Sequence, residues 1–325
     1  MKRAFLAAVA AAALSLPALS LPAVAAEKLV FAWTPNPQTP QVDVALAKGY
    51  FEEAGVDVEI VSFPSGREGF EALIGGQVDV AFMAEFPAAV GVLRAQDFKV
   101  IGDLARFRGS RVIGNAKAGP LASPADLSGR NIGTVLGTNV DYYLSKVLEG
   151  AGVTATVINA GPADLAPAVA RGDVDAMVTF PTFYPAARQA LGDDYVELKA
   201  PGYTTHYILS ASGATLRDRP EAVSAFMHAL VKADEDVAAD PSAAQDAVLA
   251  NLQGAMPKAA LEAIWSEVEI GLELDRELLE LIVDEAAWIV GKGIVKAEAP
   301  SLESVRQAFD EAPLAASDAE AVTLD

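Results

Sequence analysis

The sequence contains no cysteine, and only two of its 325 residues are histidine. The absence of cysteine excludes disulfides, cysteine metal sites, thiolate catalysis and a lipid-anchored cysteine after a leader. A chain of this length can bury enough apolar surface to fold without disulfides. The sequence also lacks a Gly-x-Ser-x-Gly turn, a phosphate-binding loop, a Gly-x-Gly-x-x-Gly turn and a His-Glu-x-x-His pair. We therefore expect a protein that binds a ligand without converting it, and that uses no cofactor and no metal.

The first 26 residues have the pattern of a secretory signal peptide. Lys2 and Arg3 precede an alanine- and leucine-rich run that ends in small residues, so we expect cleavage near Ala25 or Ala26. An uncleaved anchor is the alternative, but two prolines shorten the apolar run below the ~20 residues that a spanning helix needs. We expect a periplasmic protein that does not insert into the membrane after cleavage.

Basic residues are scarce, and the formal net charge is −20. Such a charge repels nucleic acid and anionic headgroups, so neither is an expected partner. Much of the negative charge lies in the C-terminal third. There we interpret the run WSEVEIGLELDRELLELIVDEAAW as solvated faces of amphipathic helices. A monomer is the expected state.

One structural unit occurs twice in the chain, with copies about a hundred residues apart. The first contains EEAGVDVEIVSF and LIGGQVDVAFMAEFP, and the second contains EGAGVTATVINA and VARGDVDAMVTFP. Short β-branched strands alternate with helices in both, which predicts two βαβαβ units with mainly parallel sheets. Gly152 and Gly172 are expected to end helices in the left-handed conformation. Right-handed crossovers place the strand-end loops on one edge of each sheet, so a ligand cleft between two lobes follows.

The predicted fold is therefore α/β with two lobes. We assign residues 27–117 to the first part of lobe 1, residues 118–205 to lobe 2, and residues 206–325 to a mainly helical return that completes lobe 1. Crossings between the lobes are expected near Lys117–Gly119 and near Pro201–Thr205, where they would act as hinges.

A family resemblance is carried by the motifs ALAKGYFEEAGVDVEIVSFPSG, EALIGGQVDVAFMAEFP, PADLSGRNIGTVLGTN and ARGDVDAMVTFPTF. Through them the sequence resembles the periplasmic substrate-binding proteins of ABC importers, in the nitrate, sulfonate and taurine group that also includes thiamine-precursor binders. The resemblance covers roughly Leu29 to Leu191. It implies a two-lobed receptor that closes about a hinge and delivers a small solute to a membrane permease and its ATPase.

Arg67 follows a predicted strand and stands on the first turn of a helix, where a cation is mildly unfavourable. A negative ligand in front of the helix would explain it, since a guanidinium grips a carboxylate, sulfonate or phosphate with two hydrogen bonds. The alternative is a surface ion pair with Glu71. In the family the FPSG loop faces the ligand, so the resemblance implies that Ser65 and Gly66 line the cleft together with Arg67.

The second lobe offers an anion site at Gly137, Thr138 and Asn139, which follow a strand and precede a helix. Free amides at a helix N-terminus, together with a hydroxyl, can receive negative oxygen atoms. The alternative is that Thr138 or Asn139 only caps the helix.

Glu85 follows the strand of the first lobe and could receive a ligand amine, or could pair with Arg67 inside the lobe. An arginine and a glutamate at one cleft would suit a zwitterion such as taurine. Aromatic residues at strand ends, among them Trp33 and Phe180, could surround an ammonium group. They could instead stack on a ring, which would favour a heterocyclic thiamine or flavin precursor. Further predicted contacts lie in the same loops: Asn36, Gln38 and Thr182.

These observations favour a periplasmic receptor that captures a small organic anion or zwitterion of the sulfonate or taurine type. A heterocyclic precursor is the alternative ligand. An exported enzyme, or a sensor that presents its ligand to a signalling receptor, is the alternative of another class.

Overall fold

The computed structural model describes residues 26–325, so the predicted signal peptide lies almost wholly outside the described residues. The strands of this part are β1 (Glu27–Ala32), β2 (Val56–Val61), β3 (Val80–Ala84), β4 (Phe98–Phe107), β5 (Val112–Asn115), β6 (Asn131–Thr134), β7 (Thr156–Asn159), β8 (Ala176–Val178), β9 (Tyr195–Leu198), β10 (Thr205–Ser212), β11 (Val268–Asp275) and β12 (Val322–Thr323).

The helices are α1 (Pro40–Lys48), α2 (Tyr50–Glu53), α3 (Gly66–Ile74), α4 (Phe86–Leu93), α5 (Asn139–Ala151), α6 (Pro162–Arg171), α7 (Tyr184–Leu191), α8 (Gly213–Asp218), α9 (Pro220–Ala239), α10 (Pro241–Asn251), α11 (Lys258–Trp265), α12 (Arg276–Gly291), α13 (Leu302–Arg306) and α14 (Ala312–Ala315). Among residues 26–325, no helix combines the length and the apolar character needed to cross a membrane.

The strands form two sheets, which define the two lobes. A seven-stranded sheet of order β12-β11-β4-β10-β3-β1-β2 belongs to lobe 1, and a five-stranded sheet of order β7-β6-β8-β5-β9 belongs to lobe 2. This confirms the two-lobed α/β fold. The sheets are mixed, however, because β10 lies antiparallel between β3 and β4, and β5 lies antiparallel between β8 and β9. The expectation of mainly parallel sheets was wrong on this point.

The predicted internal repeat is confirmed. In lobe 1, β1 lies between β2 and β3 with both pairs parallel, and in lobe 2, β6 lies in the same way between β7 and β8. Helices α3 and α6 precede the last strand of each unit. Gly152 and Gly172 end α5 and α6 with φ of 65° and 80°, a conformation that glycine adopts at little cost.

The first crossing between the lobes lies earlier than predicted. Strand β4 ends at Phe107 in the lobe 1 sheet, and β5 begins at Val112 in the lobe 2 sheet. Residues 112–117 therefore belong to lobe 2, and the predicted crossing near Lys117–Gly119 is wrong. The second crossing runs from β9 to β10, between Leu198 and Thr205, and agrees with the predicted position.

The C-terminal return contains a strand that the sequence interpretation missed. Helix α12 is present, but the residues before it form β11, which pairs with β4 along the edge of lobe 1. Leu272 and Leu274 are buried while the residues between and beside them are only partly buried. This period-2 pattern marks a strand with one face on the core. The return thus completes the lobe 1 sheet as well as covering it with helices.

Candidate functional site

A cavity lies between the two lobes, at the ends of strands β1, β3 and β8. The space within it, including its mouth toward solvent, is about 800 Å³. Lobe 1 supplies most of its wall through Ala32, Trp33, Thr34, Pro35, Asn36, Phe63, Pro64, Ser65, Gly66, Arg67, Gly69, Phe82, Met83, Ala84, Pro87 and Tyr207. Lobe 2 supplies Thr138, Asn139, Phe180, Thr182 and Phe183.

The start of α3 forms the lobe 1 side of the anion site. Ser65 is the N-cap of this helix, and its hydroxyl accepts a hydrogen bond of 3.4 Å from the amide of Glu68. Gly66 is required next to it because a Cβ there would lie 2.6 Å from the Cα of Met83. The close approach of α3 to β3 fixes the direction in which Arg67 leaves the helix.

Arg67 is partly exposed, with 39% of its side chain accessible. Its Nη1 donates to Oε1 of Glu71 at 3.1 Å, which is the ion pair expected from the i,i+4 spacing. Its Nε is buried and has no hydrogen-bond partner within residues 26–325. Arg67 can therefore pair with Glu71 and also contact a ligand, because it lines the cavity and its guanidinium has further N–H donors besides the one that Glu71 accepts.

The start of α5 forms the opposite side. Thr138 stands before the helix in extended conformation, and its hydroxyl donates to the carbonyl of Val135 at 2.7 Å, so it does not cap the helix. The side-chain amide of Asn139 donates to the hydroxyl of Thr205 in lobe 1 at 3.3 Å. Because the first amides of a helix have no acceptor within it, those of α5 remain a positive site at the cavity wall.

Gly137 does not line the cavity. Its amide donates to the carboxylate of Asp141 at 3.0 Å, and burial raises the pKa of that carboxyl group. This amide is therefore already satisfied, contrary to the expectation that it would bind the ligand. Gly137 instead contributes a turn with φ of 74°, which allows α5 to begin at the cavity.

Aromatic rings line the cavity from both lobes. Trp33 meets Phe82 edge to face with ring centroids 4.8 Å apart, and Phe82 stacks on Tyr207 at 5.9 Å. Trp33 is 2% exposed, and its Nε1 has no hydrogen-bond partner in the described part of the chain. Phe180 and Phe183 face the cavity from lobe 2.

Gln38 and Glu85 lie outside the cavity wall. Gln38 is fully buried, and its Nε2 donates to the hydroxyl of Tyr207 at 2.8 Å, so it positions a cavity residue instead of lining the cavity. Asn36, which lines the cavity, accepts from the amide of Gln38 at 2.8 Å.

Glu85 is fully buried behind the cavity. It accepts hydrogen bonds from the hydroxyl of Tyr203 and from the amide of His206, the latter at 3.0 Å. Burial raises the pKa of Glu85 and of its neighbour Glu285. Its carboxylate does not form the expected pair with Arg67 and does not line the cavity, because it bonds to Tyr203 and His206 in the segment that crosses from lobe 2 to lobe 1.

The structure brings together in one cavity most of the site residues predicted from sequence: Trp33, Asn36, Ser65, Gly66, Arg67, Thr138, Asn139, Phe180 and Thr182. It adds residues that sequence reasoning missed, above all Phe63, Phe82 and Tyr207. Phe63 is the first residue of the quoted FPSG loop and could have been found there. Tyr207 enters from β10, which returns from lobe 2, and no local pattern predicts that placement.

The chain is similar to proteins that are named as binding proteins and to one that is named as an enzyme. A protein of Escherichia coli (strain K12) with the assigned role of binding aliphatic sulfonates is 29% identical over 171 residues, which are 50% of this chain and 54% of that protein. This chain thus spans about half the length of that relative. A binding protein of Brucella abortus (strain 2308) is 28% identical over 260 residues, 76% of this chain and 78% of the relative. The 4-amino-5-hydroxymethyl-2-methylpyrimidine phosphate synthase of Aspergillus parasiticus is 26% identical over 67% of this chain and 69% of its own.

Solved structures share the fold. The alkanesulfonate-binding protein SsuA from Xanthomonas axonopodis pv. citri, bound to MOPS, superposes with a TM-score of 0.72 at 19% identity, over 87% of this chain and 98% of that one. A desulfurization enzyme in complex with biphenyl-2-sulfinic acid superposes with a TM-score of 0.66 at 17% identity, over 90% of this chain and 99% of the enzyme chain. Residues 36–244 match the model of the family described as "NMT1/THI5 like". Because this match spans more than half of the chain, the protein belongs to the NMT1/THI5-like family.

Proposed function

We propose that the protein is the solute-binding component of an ABC import system, that it works in the periplasm, and that its ligand is a small organic anion of the sulfonate type. The observation that carries this proposal is that Arg67 of lobe 1 and the start of α5 in lobe 2 line one cavity between the two lobes. A guanidinium and a helix N-terminus are both complementary to negative oxygen atoms.

The placement of these two groups also supplies a mechanism of capture. Arg67 belongs to lobe 1 and the start of α5 to lobe 2, so a ligand that contacts both stabilises the arrangement in which the lobes are closed. We place the hinge in the two crossings, residues 108–111 and 199–204. The membrane permease would recognise the closed form and receive the ligand from it.

Two relatives support the sulfonate class. The Escherichia coli relative has the assigned role of binding aliphatic sulfonates, and the structure of similar fold from Xanthomonas holds MOPS, which is a sulfonate. The aromatic side chains on both walls support a second candidate, a heterocyclic precursor that stacks between them. The fungal pyrimidine phosphate synthase belongs to the same group of relatives. Sulfonates and heterocyclic precursors are therefore compared in one binding screen.

Binding without turnover is the role that we propose, although enzymes share the fold. The hydroxyl of Ser65 is held by Glu68, and the buried imidazole of His206 is held by Asp103 at 2.7 Å. The hydroxyl of Ser65 also donates to the carboxylate of Glu68 at 3.2 Å. Among the described residues, the lining of the cavity includes no histidine, so it does not present the Ser–His pair typical of acyl transfer.

A thermal-shift screen tests the proposal. The purified protein is unfolded and refolded once to remove carried-over ligand, and is then exposed to sulfonates, carboxylates, nitrate, amino acids, and thiamine and flavin precursors. A ligand at ~100 times its Kd adds about 2.7 kcal/mol, which corresponds to a rise of roughly 5–10 °C for a chain of this size. We expect the largest rise with sulfonates. A rise only with heterocycles would replace the proposed ligand class, and chemical change of any bound compound would replace binding with catalysis.

A further inference from the structure

The charges around the cavity restrict its ligand more tightly than the sulfonate class does. Among the residues that line it, Arg67 alone carries a charge, although the whole chain has a net charge of −20. The charge of Arg67 is shared with Glu71, and the carboxylate of Asp141 lies beside the start of α5. The site can therefore compensate one negative charge, while a second one would meet these two carboxylates without a cation of its own.

Among the described residues, the lining of the cavity includes no carboxylate that could pair with an ammonium group. Two carboxylates adjoin cavity residues in sequence. That of Glu68 accepts from the hydroxyl of Ser65 at 3.2 Å, and that of Glu85 is fully buried and accepts hydrogen bonds from Tyr203 and His206. Aromatic faces remain as the one feature that could attract a cation. An ammonium group that leaves water for this cavity would lose its hydration and gain no carboxylate, so it would weaken binding.

The shape and chemistry of the wall favour a flat apolar body. Phe63 of lobe 1 and Phe180 and Phe183 of lobe 2 are only partly buried, and all three line the cavity. Trp33 and Tyr207 continue this surface through their contacts with Phe82. Aromatic side chains from both lobes can contact opposite faces or edges of a planar ring, and such contacts stabilise beyond the area buried.

From these observations we infer that the ligand is an aromatic monoanion without an amino group, such as an arenesulfonate. The inference rests on the proposed function and deepens it, because it names the substrate class of the same cavity. The anionic head lies between Arg67 and the start of α5, and the ring lies between the phenylalanine side chains of the two lobes. Ligands with an alkyl body, a second charge or an ammonium group bind more weakly.

Matched pairs of ligands test each part in titration calorimetry on the refolded full-length mature chain. Benzenesulfonate against cyclohexanesulfonate compares a flat ring with a puckered one of similar size. Benzenesulfonate against phenylphosphonate at pH 8 compares one negative charge with nearly two, and ethanesulfonate against taurine isolates the ammonium group. We expect the first member of each pair to bind at least tenfold more tightly.

Substitutions of the phenylalanines test whether the cavity wall causes the preference for an aromatic ligand. Phe180→Leu in lobe 2 and Phe63→Leu in lobe 1 should each reduce the advantage of benzenesulfonate over cyclohexanesulfonate at least threefold. Their effect on the affinity for ethanesulfonate should be less than twofold. Ethanesulfonate reports on the anion site alone. A variant that folds poorly would bind both ligands more weakly and can be recognised in this way. The other phenylalanine variant then tests the aromatic preference.

The outcomes separate this inference from the proposed function. Equal affinities for benzenesulfonate and cyclohexanesulfonate would overturn the aromatic body and leave a sulfonate receptor in place. Tighter binding of taurine than of ethanesulfonate would overturn the exclusion of an amino group, and tighter binding of phenylphosphonate would overturn the single charge. If no sulfonate of the panel binds, the proposed function itself fails.

Discussion

Arg67 of lobe 1 and Gly137 of lobe 2 are neighbours where the two lobes come together: a Cβ built on Gly137 would lie 3.4 Å from Cδ of Arg67. The side chain that is proposed to hold the anion therefore rests against the turn that begins the opposing helix. Gly137 has φ of 74°, a conformation that side chains other than glycine rarely adopt. Gly137 thus adjoins Arg67 at the boundary between the lobes.

Gly137→Ala should destabilise the protein and weaken anion binding. The left-handed conformation costs a residue with Cβ about 1–2 kcal/mol. The added methyl group would lie in van der Waals contact with Cδ of Arg67 and limit the positions open to that side chain. We expect urea unfolding to show a loss of roughly 1 kcal/mol and calorimetry to show severalfold weaker binding of benzenesulfonate.

The matched control for this variant is Gly150→Ala within α5. Gly150 has helical conformation, and a Cβ there would meet no atom within 4 Å, so the change should raise stability by about 0.5–1 kcal/mol. Equal stability losses in both variants would show that the turn at Gly137 has no special role.

Glu71→Gln should strengthen anion binding. Glu71 takes up Nη1 of Arg67 at 3.1 Å, and its charge opposes a negative ligand at the same guanidinium. The pair is largely exposed, so its own contribution to stability is only a few tenths of a kcal/mol. We expect two- to fivefold higher affinity for benzenesulfonate at low salt and a smaller gain at high salt. Unchanged affinity at low salt would separate Glu71 from the site.

Tyr203→Phe should loosen the second crossing between the lobes. The hydroxyl of Tyr203 donates to the buried Glu85, and loss of a hydrogen bond to a charged or buried acceptor costs about 1.5–3 kcal/mol. Urea unfolding measures this cost. Tyr50→Phe is the control, because Tyr50 bonds to Asp236 near the surface and its loss should cost less than about 1 kcal/mol. Equal costs in the two variants would contradict a special role of the buried bond.

Asp43→Asn should change how stability depends on pH. Burial raises the pKa of Asp43 to about 7, although Asn251 donates to its carboxylate at 2.6 Å. The folded protein therefore holds this proton between about pH 4, where an unfolded aspartate ionises, and pH 7. Because the folded state binds more protons in this window, stability falls as pH rises through it.

The Asp43→Asn variant removes this titration while it keeps an acceptor for Asn251. Urea unfolding from pH 4 to pH 8 should show a flatter profile than that of the wild type. The exposed Asp57 gives the control, and Asp57→Asn should leave the slope unchanged. A wild-type profile that rises through this window and matches that of Asp43→Asn would contradict the burial argument.

Local sequence patterns were sufficient for the repeated part of the fold. The strands of both units are short and β-branched, and glycines such as Gly152 mark the helix ends, so these units could be predicted from neighbouring residues alone. Strand β11 was not predicted because its acidic residues alternate with only a few leucines. Its burial depends on pairing with β4. The same holds for the first crossing, since β5 pairs with β8 and β9, which come much later in the chain.

The site was predictable where its residues lie in strand-end loops, as with Ser65, Arg67 and Asn139. It was not predictable where position depends on contacts between distant segments. Glu85 has the sequence context of a cleft residue, but the crossing that carries Tyr203 covers it. Tyr207 reaches the cavity through a strand that returns from the other lobe, and Gln38 holds it there.

The central claim is that an organic anion binds between the lobes at Arg67, and one calorimetric comparison tests it most directly. Benzenesulfonate and ethanesulfonate are titrated into refolded wild type, Arg67→Ala and Arg276→Ala. Arg276 forms the same kind of i,i+4 pair with Glu280 on the first turn of α12, at 2.7 Å, but does not line the cavity. We predict that Arg67→Ala weakens both ligands about tenfold or more, the scale of a lost hydrogen bond to a charged group, while Arg276→Ala binds as the wild type does. Equal affinities in Arg67→Ala and the wild type would contradict the account.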